Sequence, residues 1–353
     1  MIGHSNLNSK NNLKLFYESI RKLPISIFRQ FKRLKKSNYD IVHLNSATLI
    51  SSGIASLFAR KKIIWHIREG GNRNFRKWLT GKIIDFLADK IICISPLEQK
   101  SYYLQISKKS LINYNSIDFN KLDLKKFNYN TERSKLGLSK NDFILITLGG
   151  VNPRKGILQI LESLSLLPEN IKLIVLGKKF NYPIIDYKIL KKYQKIKNIF
   201  SKNNMLLDDD LFYYKSKVML EKLSPKRVLF FGEVENVGPY IAASDLLISA
   251  GQTPHFSRPL YEAWAMKKPV AINNYNGLEL DVNNHFDGII INNYSSYELA
   301  DKIKLLIGNK EKCQRLGENG YIKSVNRMNP VSSANKIMDC YLSVLNNKLK
   351  VGL

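Results

Sequence analysis

Acidic residues are scarce in this chain. Only 29 Asp and Glu stand against 56 Lys and Arg, which leaves a formal net charge of +27 over 353 residues. Such a surplus draws a protein towards something polyanionic, a membrane surface or a nucleic acid, and charge alone does not separate the two. Cysteine is scarcer still: Cys93, Cys313 and Cys340 are odd in number, far apart and not spaced for zinc. That argues against a disulfide framework or a metal site and suits a reducing compartment. No apolar run is long enough to cross a bilayer, and the first residues lack the order of a signal peptide. Also missing are a Walker loop, a Ser-His-Asp arrangement and a paired-glutamate hydrolase pattern. A soluble, cytoplasmic globular protein is the expectation.

The length suffices for two domains, each with its own core. Short apolar runs alternate with helical stretches, the pattern of parallel sheets. Strands are expected at Tyr39–Leu44, Ile63–Ile67, Asp89–Ser95 and Leu111–Ile112, with helices at Ser51–Arg60, Phe75–Leu87 and after Ser95-Pro96. The polar run between Phe127 and Leu138 reads as the interdomain connection. A second set of strands follows at Phe143–Leu148, Lys172–Leu176 and Val228–Phe231, each stopping at a glycine (Gly149, Gly177, Gly232) that lets a ligand approach the backbone. Helices are expected at Ile157–Leu167, Tyr187–Ile199, Leu211–Leu223 and Val331–Leu345. Asp208-Asp209-Asp210 contains an Asp-x-Asp, but no strand leads into it, and it reads as a cap before the helix at Leu211.

The chemistry is expected between Ser249 and Asn283. Strand Leu246–Ile248 runs into a loop, and Ser257 and Pro259 open a helix carrying Glu262. A second strand, Pro269–Ile272, opens into a loop leading to Gly277 and Glu279. Two loops thus emerge at the carboxyl edge of a parallel sheet, where such sheets bind ligands and helix N-termini attract phosphate. The backbone amides of Ser257 and Arg258 are candidate phosphate donors, Leu260 beside them belongs to the expected nucleotide-binding set, and Glu262 can accept two hydrogen bonds from a ribose. Lys155 follows a glycine-bearing turn and precedes a helix, a position from which an ammonium can neutralise a diphosphate. Gly150, Arg154, Gly232 and Val234 complete the expected nucleotide-binding set.

This run resembles the nucleotide-binding half of retaining glycosyltransferase family 4, the bacterial "group 1" enzymes. Phe256, Ser257, Glu262, Ala263, Ala265, Pro269, Val270, Gly277 and Glu279 match or nearly match its pattern, and Pro153-Arg154-Lys155-Gly156 resembles its Lys-Gly motif. The resemblance implies an α/β protein of the GT-B fold: two facing Rossmann-like, doubly wound domains with a C-terminal cross-over helix. The boundaries expected are 1–130, completed by helix 331–347, for the acceptor-side domain and 131–330 for the nucleotide-sugar domain. It also implies metal-independent transfer, with retention, of a sugar from a nucleotide diphosphate donor to a hydroxyl of a lipid-linked or cell-surface glycan. No cofactor is expected. Lys155 and Glu262 carry the chemistry, with His66 near the donor sugar. Three features depart from the family. Pro254 stands where a glutamate is usual, with His255 beside it as a substitute; Gly150 stands where an arginine is usual, with Arg154 as its replacement; and Met1–Asn12 is polar where the family has a first strand. These departures keep open a second reading, a non-catalytic nucleotide-sugar binder or partner subunit.

Apolar residues from Leu13 to Leu34 recur at helical spacing in two pieces interrupted by Pro24, and the other face is basic from Lys14 to Lys36. Either this is a solvated surface helix or it leans on an anionic bilayer, which would place the protein at the inner face of the cytoplasmic membrane. Nucleic acid ranks below both, since no recognised motif accompanies the charge.

Overall fold

The computed structural model describes residues 9–179, 205–251, 254–275, 277–292 and 294–350, with the side chains of 9–21, 205–210 and 347–350 left aside. The chain divides into two compact units, each on its own parallel sheet. The first holds Met1–Ser116, Pro254–Phe256 and Arg327–Leu353; the second holds Ile117–Thr253 and Ser257–Asn326.

In the first unit the order is α1 (Ser9–Lys36), β1 (Ile41–Leu44), α2 (Ile50–Phe58), β2 (Lys62–Ile67), α3 (Phe75–Leu87), β3 (Lys90–Cys93), α4 (Pro96–Ser101) and β4 (Ser110–Ile112). The strands pair in parallel in that same order, each joined to the next through a helix. Side chains alternate across the sheet. Ile63, Trp65 and Ile67 of β2 face Ile84 and Leu87 of α3, whereas Ile64, with Ile92 of β3, packs under Cys340 and Val344 of the C-terminal helix Pro330–Lys350. That helix therefore completes the first unit. α1 runs unbroken through Pro24, where the sequence suggested two pieces. Proline removes one backbone hydrogen bond, but its fixed φ is compatible with a helix, and the run continues past it through the partly buried Ile27 and Phe31.

The second unit contains α5 (Tyr129–Lys135), β5 (Phe143–Leu148), α6 (Ile157–Ser165), β6 (Ile171–Leu176), α7 (Met205–Lys222), β7 (Val228–Gly232), α8 (Gly238–Ala243), β8 (Leu246–Ser249), α9 (Arg258–Ala265), β9 (Val270–Asn273), β10 (Ile289–Ile291), α10 (Ser296–Lys304) and α11 (Lys310–Met328). Its sheet is parallel in the order β10-β9-β8-β5-β6-β7. The chain winds outward from β5 through β6 to β7, returns to β8 on the other side of β5, and winds outward again. This is a doubly wound sheet with its reversal between β5 and β8.

Three local readings change. The polar run 127–138 is not a loose connection: Asn128 Oδ1 caps α5 through the amides of Asn130 and Thr131, at 3.0 and 3.1 Å. The first unit ends earlier, at Ser116, because this helix packs into the second. Asp208–Asp210 lie within α7 rather than before it. Strand β10 and helix α8 are additions; each is too short to leave a periodic signature. The helix expected at Tyr187–Ile199 lies outside the described residues.

Arg133 explains why α5 is fixed. Its guanidinium, 1% exposed, donates to the carbonyls of Ala243, Ser139 and Asp142 at 3.0, 3.1 and 2.9 Å, and pairs with Asp245. Asp245 in turn accepts the amide of Ile144 at 2.7 Å, so one ion pair joins α5, the start of β5 and the start of β8. Removing one partner strands a buried charge. Asp245→Asn is expected to lower the unfolding free energy of the second unit by about 3 kcal/mol in urea titrations; an unchanged midpoint would mean that the pair adds nothing to the fold.

Candidate active site

At the reversal of the second sheet, the loops after β5 and β8 touch through glycines. A Cβ on Gly156 would lie 2.1 Å from Ala250 O, and one on Gly251 would lie 2.7 Å from Arg154 O. Gly156, at φ +68°, also ends the short 3-10 turn Pro153–Lys155 and opens α6. A side chain at either glycine would force apart the two loops that a ligand at this edge must meet.

Lys155 is placed by its neighbours. The Asn152 side chain caps the turn through the Arg154 amide at 2.9 Å. The aliphatic stem of Lys155 lies over Gly149, where a Cβ would be 2.9 Å from its Cε and 3.1 Å from its Cδ. Lys155 is exposed overall, yet desolvation by its surroundings lowers its pKa. Gly150 has φ +67°, and a Cβ there would stand 2.3 Å from Lys178 O. No arginine fits this backbone. Arg154 is exposed at the same turn. Gly232 accepts the amide of Gly177 and sits, with Val234, at the end of edge strand β7, two strands from β5.

Helix α9 begins beyond Ser257. Pro259 has no N–H, and the Leu260 amide donates to Ser257 O at 3.1 Å while its side chain is buried. Ser257 and Arg258 remain as the opening amides. One turn on, Glu262 Oε1 accepts from Arg258 Nε at 2.9 Å. Burial raises the pKa of Glu262, and Arg258 pulls it back down. Exposed Glu279 turns back to accept the Gly277 amide at 3.1 Å in the loop after β9. Beneath these loops lies a pair that the sequence did not reveal. Buried Asn273 donates to Gln159 Oε1 and to Ala250 O, both at 2.7 Å, tying β9 and α6 to the end of β8.

The second unit therefore gathers Lys155, Arg154, Gly150, Ser257, Arg258 and Glu262 around one sheet reversal. His66 belongs to the first unit. It is 5% exposed on β2, its Nδ1 lies 3.3 Å from His43 Nε2, and His43 Nδ1 lies 2.7 Å from Tyr341 Oη. Burial, then Arg68 and His43, lowers its pKa to about 4. His255 is held elsewhere in the same unit. Its Nδ1–H donates to Glu98 Oε1 at 3.1 Å, as does the Phe256 amide, while Ser95 Oγ donates to the other oxygen. Glu98 is fully buried in α4, and nothing in its sequence neighbourhood marks it. No three His, Cys, Asp or Glu side chains gather to hold a metal among the described residues.

Comparisons with known proteins agree with this geometry. Residues 128–323 match the family model "Glycosyl transferases group 1". A UDP-Gal:alpha-D-GlcNAc-diphosphoundecaprenol alpha-1,3-galactosyltransferase of Escherichia coli is 26% identical over 92% of this chain and 80% of its own. Among solved structures, Anabaena Alr3699/HepE in complex with UDP and glucose superposes with a TM-score of 0.70 at 19% identity, over 90% of this chain and 81% of that one. A glycosyltransferase from Rickettsia africae reaches 0.71 at 20% identity, over 97% and 84%. With two parallel-sheet units and these neighbours, the fold is GT-B.

His66 sets a pH dependence. Its folded pKa lies below that of the unfolded chain, so between about pH 6.5 and about pH 4 the unfolded state binds the extra proton and stability falls as pH falls. The loss is expected to reach roughly 3 kcal/mol across that window. Unfolding titrations at several pH values should find a shallower slope in His66→Gln; the same slope in both proteins would mean that His66 is not a buried neutral imidazole.

Proposed function

The chain belongs to the group 1 glycosyl transferases, and on that footing we propose that it moves a hexose from a nucleotide diphosphate sugar to a hydroxyl of a lipid-linked or cell-surface glycan, with retention and without a metal ion. The observation that carries this reading is the convergence of Lys155 and the opening of α9 on the β5–β8 reversal. The difficult event is departure of the diphosphate from the anomeric carbon. Lys155 and the Ser257 and Arg258 amides stabilise the charge that develops there, as preorganised donors do in place of a cation. Glu262 accepts the ribose hydroxyls, and Arg258 holds its carboxylate at 2.9 Å. With retention, the acceptor oxygen bonds to the carbon on the face the diphosphate leaves, and its proton passes to a leaving phosphate oxygen. The lipid-linked acceptor follows the name of the Escherichia coli relative.

A second reading, a nucleotide-sugar binder without turnover, rests on Pro254 and Gly150, which replace two charged residues of the family. One experiment separates the two. Incubated with a panel of nucleotide diphosphate sugars in EDTA, the protein is expected to break down one donor and keep its anomeric configuration. Lys155→Ala and Glu262→Ala are each expected to weaken nucleotide diphosphate binding by roughly 1 to 3 kcal/mol in calorimetry. Wild-type affinity in both variants would remove the site assignment; intact binding with no donor breakdown would favour the binder.

We also propose that the protein works at the inner face of the cytoplasmic membrane, held by α1. No helix among the described residues is long and apolar enough to cross a membrane. Along α1, one groove is lined by Lys22, Arg29 and Arg33, and another by Leu23, Pro24, Ile27, Phe28, Phe31 and Phe58 of α2. Ile25 and Phe28 are each 55% exposed. Basic residues near an anionic leaflet contribute about 1 kcal/mol each, and inserted apolar residues add to this. Co-sedimentation with anionic but not neutral vesicles is expected, partly salt-resistant and weakened in the Ile25→Ser, Phe28→Ser double variant. Full competition by duplex DNA, with steep salt dependence, would instead point to nucleic acid.

A further inference from the structure

Helix α3 is apolar on two faces, and the fold uses one of them. Ile84 and Leu87 pack on the sheet of the first unit. On the outer side runs a second stripe at helical spacing, Phe75, Trp78, Leu79, Lys82 and Phe86, and all five residues are exposed. Phe75 is 71% and Phe86 78% exposed, and the rings of Phe75 and Trp78 stack with their centroids 5.5 Å apart. A helix apolar all round belongs against a second surface, and large apolar side chains left together in water mark a place of contact.

The stripe continues a surface already described. α2 packs against both α1 and α3, its Phe58 lines the same groove as Phe28 and Phe31 of α1, and Leu57 beside it is exposed. Charge follows the same three helices. From Lys22 of α1 through α2 and α3 there are nine Lys and Arg and a single acid, Asp85, which is occupied by the Ser107 hydroxyl. A second copy of the chain would bring those cations face to face, and a protein interface seldom keeps a lysine in its apolar centre, where Lys82 stands. A bilayer suits both features. Phenylalanine and leucine enter the acyl boundary, an indole rests at the headgroup level, and the Lys82 stem lies along apolar surface while its ammonium meets a lipid phosphate.

We propose that α3 is a second membrane-inserting edge, so that the first unit lies on an anionic bilayer through α1, α2 and α3 together. This rests on the reading of α1 as membrane-facing, and it adds an orientation. The opposite face of the sheet, covered by the C-terminal helix, is turned away from the lipid.

Trp78 is the reporter that tests this. The chain has three tryptophans; Trp65 and Trp264 are fully buried, and Trp78 is 39% exposed. Emission of the whole protein is expected to move to shorter wavelength on addition of phosphatidylglycerol–phosphatidylcholine vesicles, and to be quenched when their acyl chains carry bromine. With phosphatidylcholine alone neither change is expected. Trp78→Phe should bind about as tightly as the wild type and lose both changes, which assigns them. The Leu79→Ser, Phe86→Ser double variant alters two exposed positions and keeps Trp78 stacked on Phe75; it should bind anionic vesicles roughly 10-fold more weakly. Wild-type co-sedimentation with emission unmoved, or with the double variant unaffected, overturns the α3 edge and leaves the α1 reading standing. No co-sedimentation of the wild type removes both. A dimer in lipid-free buffer that the double variant abolishes makes the occupant a second copy and overturns the proposal.

Discussion

The second unit depends on one close approach, the contact of two loops at the point where its sheet reverses. The backbone of Gly156 lies against Ala250, and that of Gly251 against Arg154. Only residues without a Cβ permit it, and the contact fixes both Lys155 and the chain that leads into α9. Behind it, the Asn273–Gln159 amide pair holds Ala250 in place, so that the same carbonyl-bearing residue that touches Gly156 is anchored to β9 and α6. Buried amides are costly unless fully paired, and this pair is satisfied from both sides. Rigidity at the loop bases is what an electrostatic site needs, since its donors must stand ready before charge develops.

The first unit is built on a different constraint, the covering of a four-stranded sheet on both faces. α3 covers one and the C-terminal helix the other. The second cover is distant in sequence, and it makes residues some three hundred positions apart, His43 and Tyr341, immediate partners. Asn113 at the end of β4 adds a further tie, donating to Ser333 of the same helix at 3.1 Å.

What the sequence made legible follows from this. Strands and helices showed because each carries its own periodicity, and the Lys155 and Glu262 loops showed because a strand, a glycine and a helix start are all local signals. Glu98, the Gln159–Asn273 pair and the His43–Tyr341 link did not, since each acquires meaning only from a partner far along the chain. Arg133 was hidden for a related reason: it lies in a polar run, and only the carbonyls of Ala243, Ser139 and Asp142 turn it into a buried hub.

The two replaced residues of the family pattern have different physical standing. At Gly150 the backbone is left-handed and pressed against Lys178, so restoring an arginine would require β5 and β6 to part at their ends. Its absence is built into the fold, and in the proposed reaction positive charge must then come from Lys155 and the opening of α9. Pro254 is a local matter. It is buried, its N–H is missing by nature, and the two residues after it are held by a carboxylate that belongs to α4 rather than to the motif. Here the acidic group of the motif is lost while a fully buried glutamate elsewhere holds the same stretch of chain, fixing the His255 ring through its Nδ1–H.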